Sequence, residues 1–389
     1  MKVLEGIRVV DLSQNIAGPH CTQLLADLGA DVVKIEPPAG DPARRWGPPF
    51  WGEDSPLFLS FNRNKRSVAL DLKKDEAREA LWRLVDTADV FVQAYRKGVA
   101  DRLGFGYPEV AARRPGIVYV SVTGFGSKGP LAEAPGYDPL IQAYTGVMSV
   151  TGYPDGPPAR IGGSMVDVGT GVVTSMGVLA ALRQRDQTGK SVHVESSLLA
   201  TSLGAVAYHV QGYMATGHVP GRMGTGLAMI APYEAFATTD GELMIAAGNQ
   251  GIFERLCAAL GLDDLVADSR FGTNPDRVAH RTELRPLVEA ATRVLSTAQL
   301  IAVLAEHRVP CAPIQDIAQV AADEQIRANG MIQSVEHPTI PDYEDVAFPV
   351  TFDGERPGAE RPPPAIGQHS EEVLAEIGFS AKEILALSG

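Results

Sequence analysis

Residues 7–36, IRVVDLSQNIAGPHCTQLLADLGADVVKIE, decide the fold. Ile7–Leu12 is a short β-branched run and reads as a strand. Residues 19–28 (PHCTQLLADL) then place apolar side chains at helical spacing, and Gly29 stands where a helix stops. Asp31–Glu36 (DVVKIE) is a second strand. Strand, helix and strand within about thirty residues form a βαβ unit, with parallel pairing and a right-handed crossover. The pattern continues with a strand-like run at Val68–Leu72, a helix over Asp75–Ala88, and strands over Val90–Tyr95 and Ile117–Thr123. This predicts an α/β chain whose large domain is an open, Rossmann-like sheet.

Further on, helices are predicted from about Pro139 to Val150 and from Val168 to Arg185, the second ending at Thr188-Gly189-Lys190. A strand follows at Val192–Ser196, then a long helix near Leu198–Thr216. Gly217–Gly226 is rich in glycine and reads as a linker. Tyr233–Ala247 reads as a hairpin turning at Asp240-Gly241, and several short helices run on to about Arg327. The expected division is a large domain over 1–225, a smaller α+β domain over 226–328, and a C-terminal segment, 329–389, that returns to the large domain. That segment carries short strands, the run Pro362–Pro364 and a helix starting near Ser370.

Composition narrows the function. The net charge is −13, so the chain has no general attraction for phosphate backbones, and no nucleic-acid partner is expected. Cys21, Cys257 and Cys311 are odd in number and form no CxxC pair, which argues against a disulfide framework or a structural zinc site. The start, MKVLEGIRVVDL, lacks the features of a signal peptide, and Val166–Leu182 contains Asp167 and three glycines. It reads as a buried helix rather than a membrane span, so a cytoplasmic protein without a membrane partner is expected. No histidine pair has metal-binding spacing, and no metal is expected.

Several motifs bear on chemistry. The first strand-to-helix turn, Ser13-Gln14-Asn15-Ile16-Ala17-Gly18-Pro19, has one glycine where a dinucleotide fingerprint needs three, which disfavours a nicotinamide dehydrogenase. Asn64-Lys65-Arg66-Ser67 and the group Arg96, Lys97 and Arg102 read either as a solvated basic face or as a clamp for a ligand with several phosphates. Asp167, between a Gly/Ser stretch and an apolar helix, reads either as a helix cap or as an open, partly desolvated carboxylate nucleophile. Gly248-Asn249-Gln250-Gly251 reads either as a turn with a cap or as a mobile, amide-rich cover.

Taken in order, Val10-Asp11-Leu12, Ala17-Gly18-Pro19, Gly29–Glu36, Asn64–Ser67, Arg102-Leu103-Gly104, Gly136-Tyr137-Asp138, Asp167, Thr188-Gly189-Lys190 and Gly367-Gln368-His369 form a set. This set resembles the family III CoA-transferases, the CaiB–BaiF family, over essentially the whole chain. The resemblance implies coenzyme A and acyl-CoA as substrates and no permanently bound cofactor. It implies that Asp167 attacks the thioester, giving a mixed anhydride and then an aspartyl-CoA thioester. It assigns Lys97 and Arg102 to CoA, with Lys34, Tyr95 and Arg66 lining the same site, and Tyr137 to the acyl pocket. Gly248, Asn249 and Gln250 match the family's cover segment. Arg44, Arg45 and Trp46 lie in a loop suited to a dicarboxylate, with succinyl-CoA or a similar donor. The alternative is an α-methylacyl-CoA racemase; there the tyrosine at 137 would be a histidine, because exchange at Cα needs a second acid/base group. A non-catalytic CoA-binding protein is a further alternative. The resemblance also implies an interlocked homodimer.

Overall fold

The computed structural model describes residues 2–388 and resolves two compact units. Met1–Val147, Ile161–Gln211 and Glu324–Gly389 form the larger, and Met148–Arg160 with Gly212–Asp323 the smaller. Residues 148–160 and 212–225 therefore belong with the smaller unit and not, as expected from the sequence, with the larger. Backbone pairing explains the transfer. Gly224 donates to the carbonyl of Gly152 at 2.8 Å, and Arg222 reaches the carbonyls of Tyr153, Pro154 and Gly156. The glycine-rich linker is thus bound to an earlier loop.

In the larger unit, β1 (Arg8–Asp11), α1 (Ala17–Asp27), β2 (Asp31–Glu36), β3 (Lys65–Ala69), α2 (Asp75–Thr87), β4 (Val90–Gln93) and β5 (Val118–Thr123) follow one another. Then come α3 (Asp138–Tyr144), α4 (Met165–Thr188), β6 (Val192–Ser197) and α5 (Leu198–Ala205). The six strands are parallel, in the order β3-β2-β1-β4-β5-β6. Side-chain alternation divides the core. Val9, Val32, Val90 and Val118 pack with Leu24, Leu25, Val178 and Leu182 on one face. Val10, Val33, Phe91 and Tyr119 pack with Leu81, Leu84 and the C-terminal Val373 and Leu374 on the other. Covered on both faces, the strands can be nearly continuous in valine, as they are.

Strand order reverses between β1 and β4; in open α/β sheets ligands bind outside the carboxyl ends of the strands at such a reversal. The exposed edge, β3, is closed by the C-terminal segment. Gly367 N–H donates to Ser67 Oγ and His369 N–H to Ser67 O, both at 2.9 Å, while Ser67 N–H donates to His369 Nδ1 at 3.2 Å. This explains the Gly367-Gln368-His369 motif: it satisfies backbone groups that an edge strand would leave open.

Two predicted helices are broken. The one expected over 139–150 splits around Gly146, whose φ is +83°, and the one expected over 198–216 splits at Val206. The smaller unit holds an antiparallel sheet of β7 (Tyr233–Ala237), β8 (Glu242–Ala246) and β9 (Cys311–Pro313), with helices α6 (Gln250–Leu260) and α7 (Arg281–Thr292). Phe236, Leu243, Phe253, Phe271, Leu284 and Leu300 form its core.

Candidate active site

Helix α4 begins at Met165, three residues earlier than its apolar pattern predicts, so Asp167 sits inside the first turn rather than before it. The helix feeds into the amino end of β6, which places its own N-terminus at the carboxyl end of the sheet. One turn beyond Asp167, Gly171 packs on α1: a Cβ there would lie 2.8 Å from the His20 ring and 2.9 Å from the Ala17 carbonyl. Asp167 and Gly171 share a helix face, so that face turns toward the first strand-to-helix loop.

The cap of α4 comes from elsewhere. Ser164, at the cap position, makes no side-chain cap. Instead, Asp138 Oδ2 accepts from the N–H groups of Val166, at 2.8 Å, and Asp167, at 3.2 Å. Its other oxygen accepts from Gln142 Nε2, and Gln142 Oε1 accepts from Ile161 N–H at 2.9 Å. Asp138 is brought there by a backbone crossing just upstream. A Cβ on Gly124 would lie 2.5 Å from the Cα of Gly136, and one on Gly136 2.2 Å from the Cα of Gly124, so neither position admits a side chain.

The Asp167 carboxylate, relieved of the capping task, accepts no hydrogen bond and forms no ion pair among the described residues. It is half-buried. Burial, and secondarily the charge of Asp138, push its pKa up to about 7. The cap reading of Asp167 is therefore set aside: Asp138 caps the helix and leaves Asp167 free.

The basic residues divide sharply. Lys34 has no accessible surface; its ammonium donates to Asp41 and to the Ser13 carbonyl, both at 2.9 Å. Arg44, 3% exposed, pairs with Glu36 and Asp54 and also reaches the Pro364 carbonyl. Arg66 pairs with Asp31, Glu372 and Glu376 at the amino end of the sheet, beside a polar cleft of about 420 Å³. All three are buried and already paired with carboxylates, so these ion pairs give no support to the expectation that they meet CoA (Lys34, Arg66) or the acyl group (Arg44). Charge in a sequence does not reveal whether a counter-ion waits in the fold. By contrast, Arg45, Arg96, Lys97 and Arg102 are exposed and form no ion pair among the described residues. Tyr95 and Lys97 follow directly on β4, at the strand-order reversal, and Arg102 ends the short helix Val99–Arg102 after them; Lys97 donates to the Ser127 carbonyl at 2.9 Å. Trp46 and Tyr137, each nearly half exposed, face one another at 6.5 Å between ring centroids, with Tyr137 next to the cap residue Asp138.

The model of CoA-transferase family III matches residues 4–370. The chain belongs to that family. It is 37% identical over 381 residues to a succinate–glutarate CoA-transferase of Agrobacterium fabrum, covering 96% of this chain and 95% of the relative. It is 39% identical over 330 residues to an acetyl-CoA:oxalate CoA-transferase of Acetobacter aceti, covering 84% of this chain and 85% of the relative. The crystal structure of a CAIB/BAIF family protein from Brucella suis superposes with a TM-score of 0.86 at 38% identity, covering 96% of this chain and 99% of that one.

In this family III CoA-transferase, Gly248, Asn249 and Gln250 lie in the smaller unit, where Asn249 caps α6 and Gln250 is its first residue. Asn249 Oδ1 accepts from Ile252 N–H, and Gln250 Oε1 accepts from Arg277 Nη1 at 2.7 Å. Arg277 is fully buried, stacked over Phe253, and held by the carbonyls of Ala231 and Phe271. Sequence reasoning gave no role to Asp138, Gln142 or Arg277. An Asp-Pro pair opening a helix reads as purely local, and nothing in it points to a partner 29 residues away. Among the described residues no group of three His, Cys, Asp or Glu side chains could hold a metal ion.

Proposed function

We propose that this CoA-transferase moves CoA from succinyl-CoA or a similar donor to a small dicarboxylic acid, with Asp167 as covalent nucleophile. The observation that carries this reading is the free Asp167 carboxylate at the start of α4, at the carboxyl end of the sheet. Its oxygen attacks the thioester carbonyl and the CoA thiolate leaves, giving a mixed anhydride. The thiolate attacks the aspartyl carbonyl, releasing the donor acid and leaving an aspartyl-CoA thioester. The acceptor carboxylate reverses both steps. Every intermediate is an activated acyl group, so no ATP is consumed.

Tyr95, Lys97 and Arg102 are assigned to CoA because they follow β4 at the reversal point, and Lys97 and Arg102 carry cationic donors that no carboxylate occupies. Arg45 is assigned to the distal carboxylate of a dicarboxylate, with Trp46 and Tyr137 as an aromatic wall. Relatives that are succinate–glutarate and succinyl-CoA:mesaconate CoA-transferases support a dicarboxylate. A homodimer accords with the face of α4 bearing Val172, Val173, Met176 and Leu179, which is 38–64% exposed and apolar. A monomeric mass by light scattering would remove that part.

Intact-protein mass spectrometry after incubation with succinyl-CoA tests the core reading. A CoA- or acyl-sized adduct mapped to Asp167, and missing from Asp167→Ala, is expected. No adduct with any acyl-CoA, despite CoA binding, would sink it.

A further inference from the structure

Asp138 is buried, at 3% exposure, and carries a carboxylate that the reaction above does not use. Its two oxygens are fully engaged: Oδ2 by the N–H groups of Val166 and Asp167, Oδ1 by Gln142. A helix N-terminus normally stabilises a nearby negative charge, through its orphan amides and its dipole. An aspartate in the first turn, as Asp167 is, would ordinarily receive that benefit. Here Asp138 has taken it. Asp167 is left next to amides already bound to a carboxylate, and next to that carboxylate's charge.

We propose that Asp138 is a positioning residue that sets the protonation and nucleophilic strength of Asp167 by occupying the first amides of α4 with its own charge. The inference rests on the reading of Asp167 as the nucleophile. A carboxylate denied stabilisation of its anion is more basic, and a more basic oxygen attacks a carbonyl faster once ionised. The same arrangement fixes the geometry, since one bond runs to the backbone of Asp167 itself.

Other groups around α4 do not replace this effect. Helix α1 contributes His20, whose imidazole burial holds neutral, with its pKa pushed down to about 4, Cys21, whose thiol burial also keeps neutral, and Asp27, which is paired with Arg63. Helix α5 (LLATSLGA) contains no titratable side chain. Helix α3 adds only Tyr144 beyond Asp138, β5 adds Tyr119, and β6 adds His193 and Glu195. Of all these, only Asp138 acts on the Asp167 carboxyl, reinforcing the effect of burial.

The test is Asp138→Asn, which keeps the size and one carbonyl acceptor but removes the charge. Adduct formation at Asp167 and kcat/KM are followed from pH 5 to 9. In the native protein both rise with pH through about 7, as Asp167 ionises. In Asp138→Asn the midpoint is expected to fall by about one pH unit, with a several-fold lower plateau. An unchanged midpoint, with the adduct still forming, would show that Asp138 is only a cap and overturn the proposal. If the asparagine variant does not fold, Asp138→Ser supplies a neutral cap and is read in the same way. Failure of the native protein to form an adduct at any pH overturns the nucleophile reading itself, and this inference with it.

Discussion

Asp11 and Asp167 are both aspartates withdrawn from water in the same unit, and they are treated in opposite ways. Asp11, at the end of β1, has no accessible surface. It is met by Lys65 at 3.3 Å and by the hydroxyls of Ser13 and Thr22, and Lys34 adds its charge. Burial alone would raise its pKa, but these partners outweigh it and hold Asp11 below the usual carboxylate range. Asp167 is less buried, has no cation or donor, and is pushed up to about 7. Burial by itself therefore does not make a carboxylate reactive. What decides is whether the fold supplies partners for the anion.

The strongest way to break the comparison is to neutralise each acid. If Asp167 is the nucleophile proposed above, Asp167→Asn is expected to lower CoA transfer by at least about a thousandfold. It should nevertheless stabilise the fold at alkaline pH. The folded pKa, near 7, lies above the unfolded one, so the native state binds the extra proton between the two and loses stability as pH rises through that window. The gain from asparagine should thus be near zero below about pH 4, grow through the window, and reach on the order of 2 kcal/mol above pH 7, as read by urea denaturation at both ends. Asp11→Asn should do the reverse. It strands buried lysines without their counter-charge and costs about 3–5 kcal/mol at neutral pH, with no shift in the pH midpoint of the remaining activity. Equal stability effects from the two substitutions would end the distinction.

The neighbouring arginines sharpen the same contrast at smaller amplitude. Arg44 is enclosed by Glu36 and Asp54, and Arg44→Ala is expected to cost about 3 kcal/mol of stability. Arg45→Ala should leave the melting temperature nearly unchanged and raise KM for a dicarboxylate about tenfold, with little effect on a monocarboxylate. A KM that does not discriminate between the two acids would remove Arg45 from the substrate.

The sequence was most legible where one local pattern determines one local structure. Val-rich runs between turn residues located β1, β2, β4 and β5 to within a residue or two, and the Asp240-Gly241 turn located the β7–β8 hairpin. Non-local partnerships were not legible. Lys34, Arg44 and Arg66 look like surface cations in the chain, because their partners Asp41, Glu36, Asp54 and Glu376 meet them only after folding. The cap of α4 is contributed by another helix, so the start of α4 lacked its usual signal, and Asp167 was misplaced by a turn. The chemistry proposed for it rests on resemblance to a family, since an aspartate at a helix start carries a cap meaning by default.

The bond set at β3 also has a consequence in time. Gly367 meets Ser67 across 300 residues of chain, and the segments of the smaller unit are synthesised between them. A nascent chain that has completed the smaller unit still carries β3 as an open edge. Domains fold as their residues emerge, so the larger sheet stays prone to wrong pairing until residues 367–370 arrive. Shortening the chain ahead of Gly367 should leave the strands intact yet shift the product from soluble enzyme toward aggregate during expression.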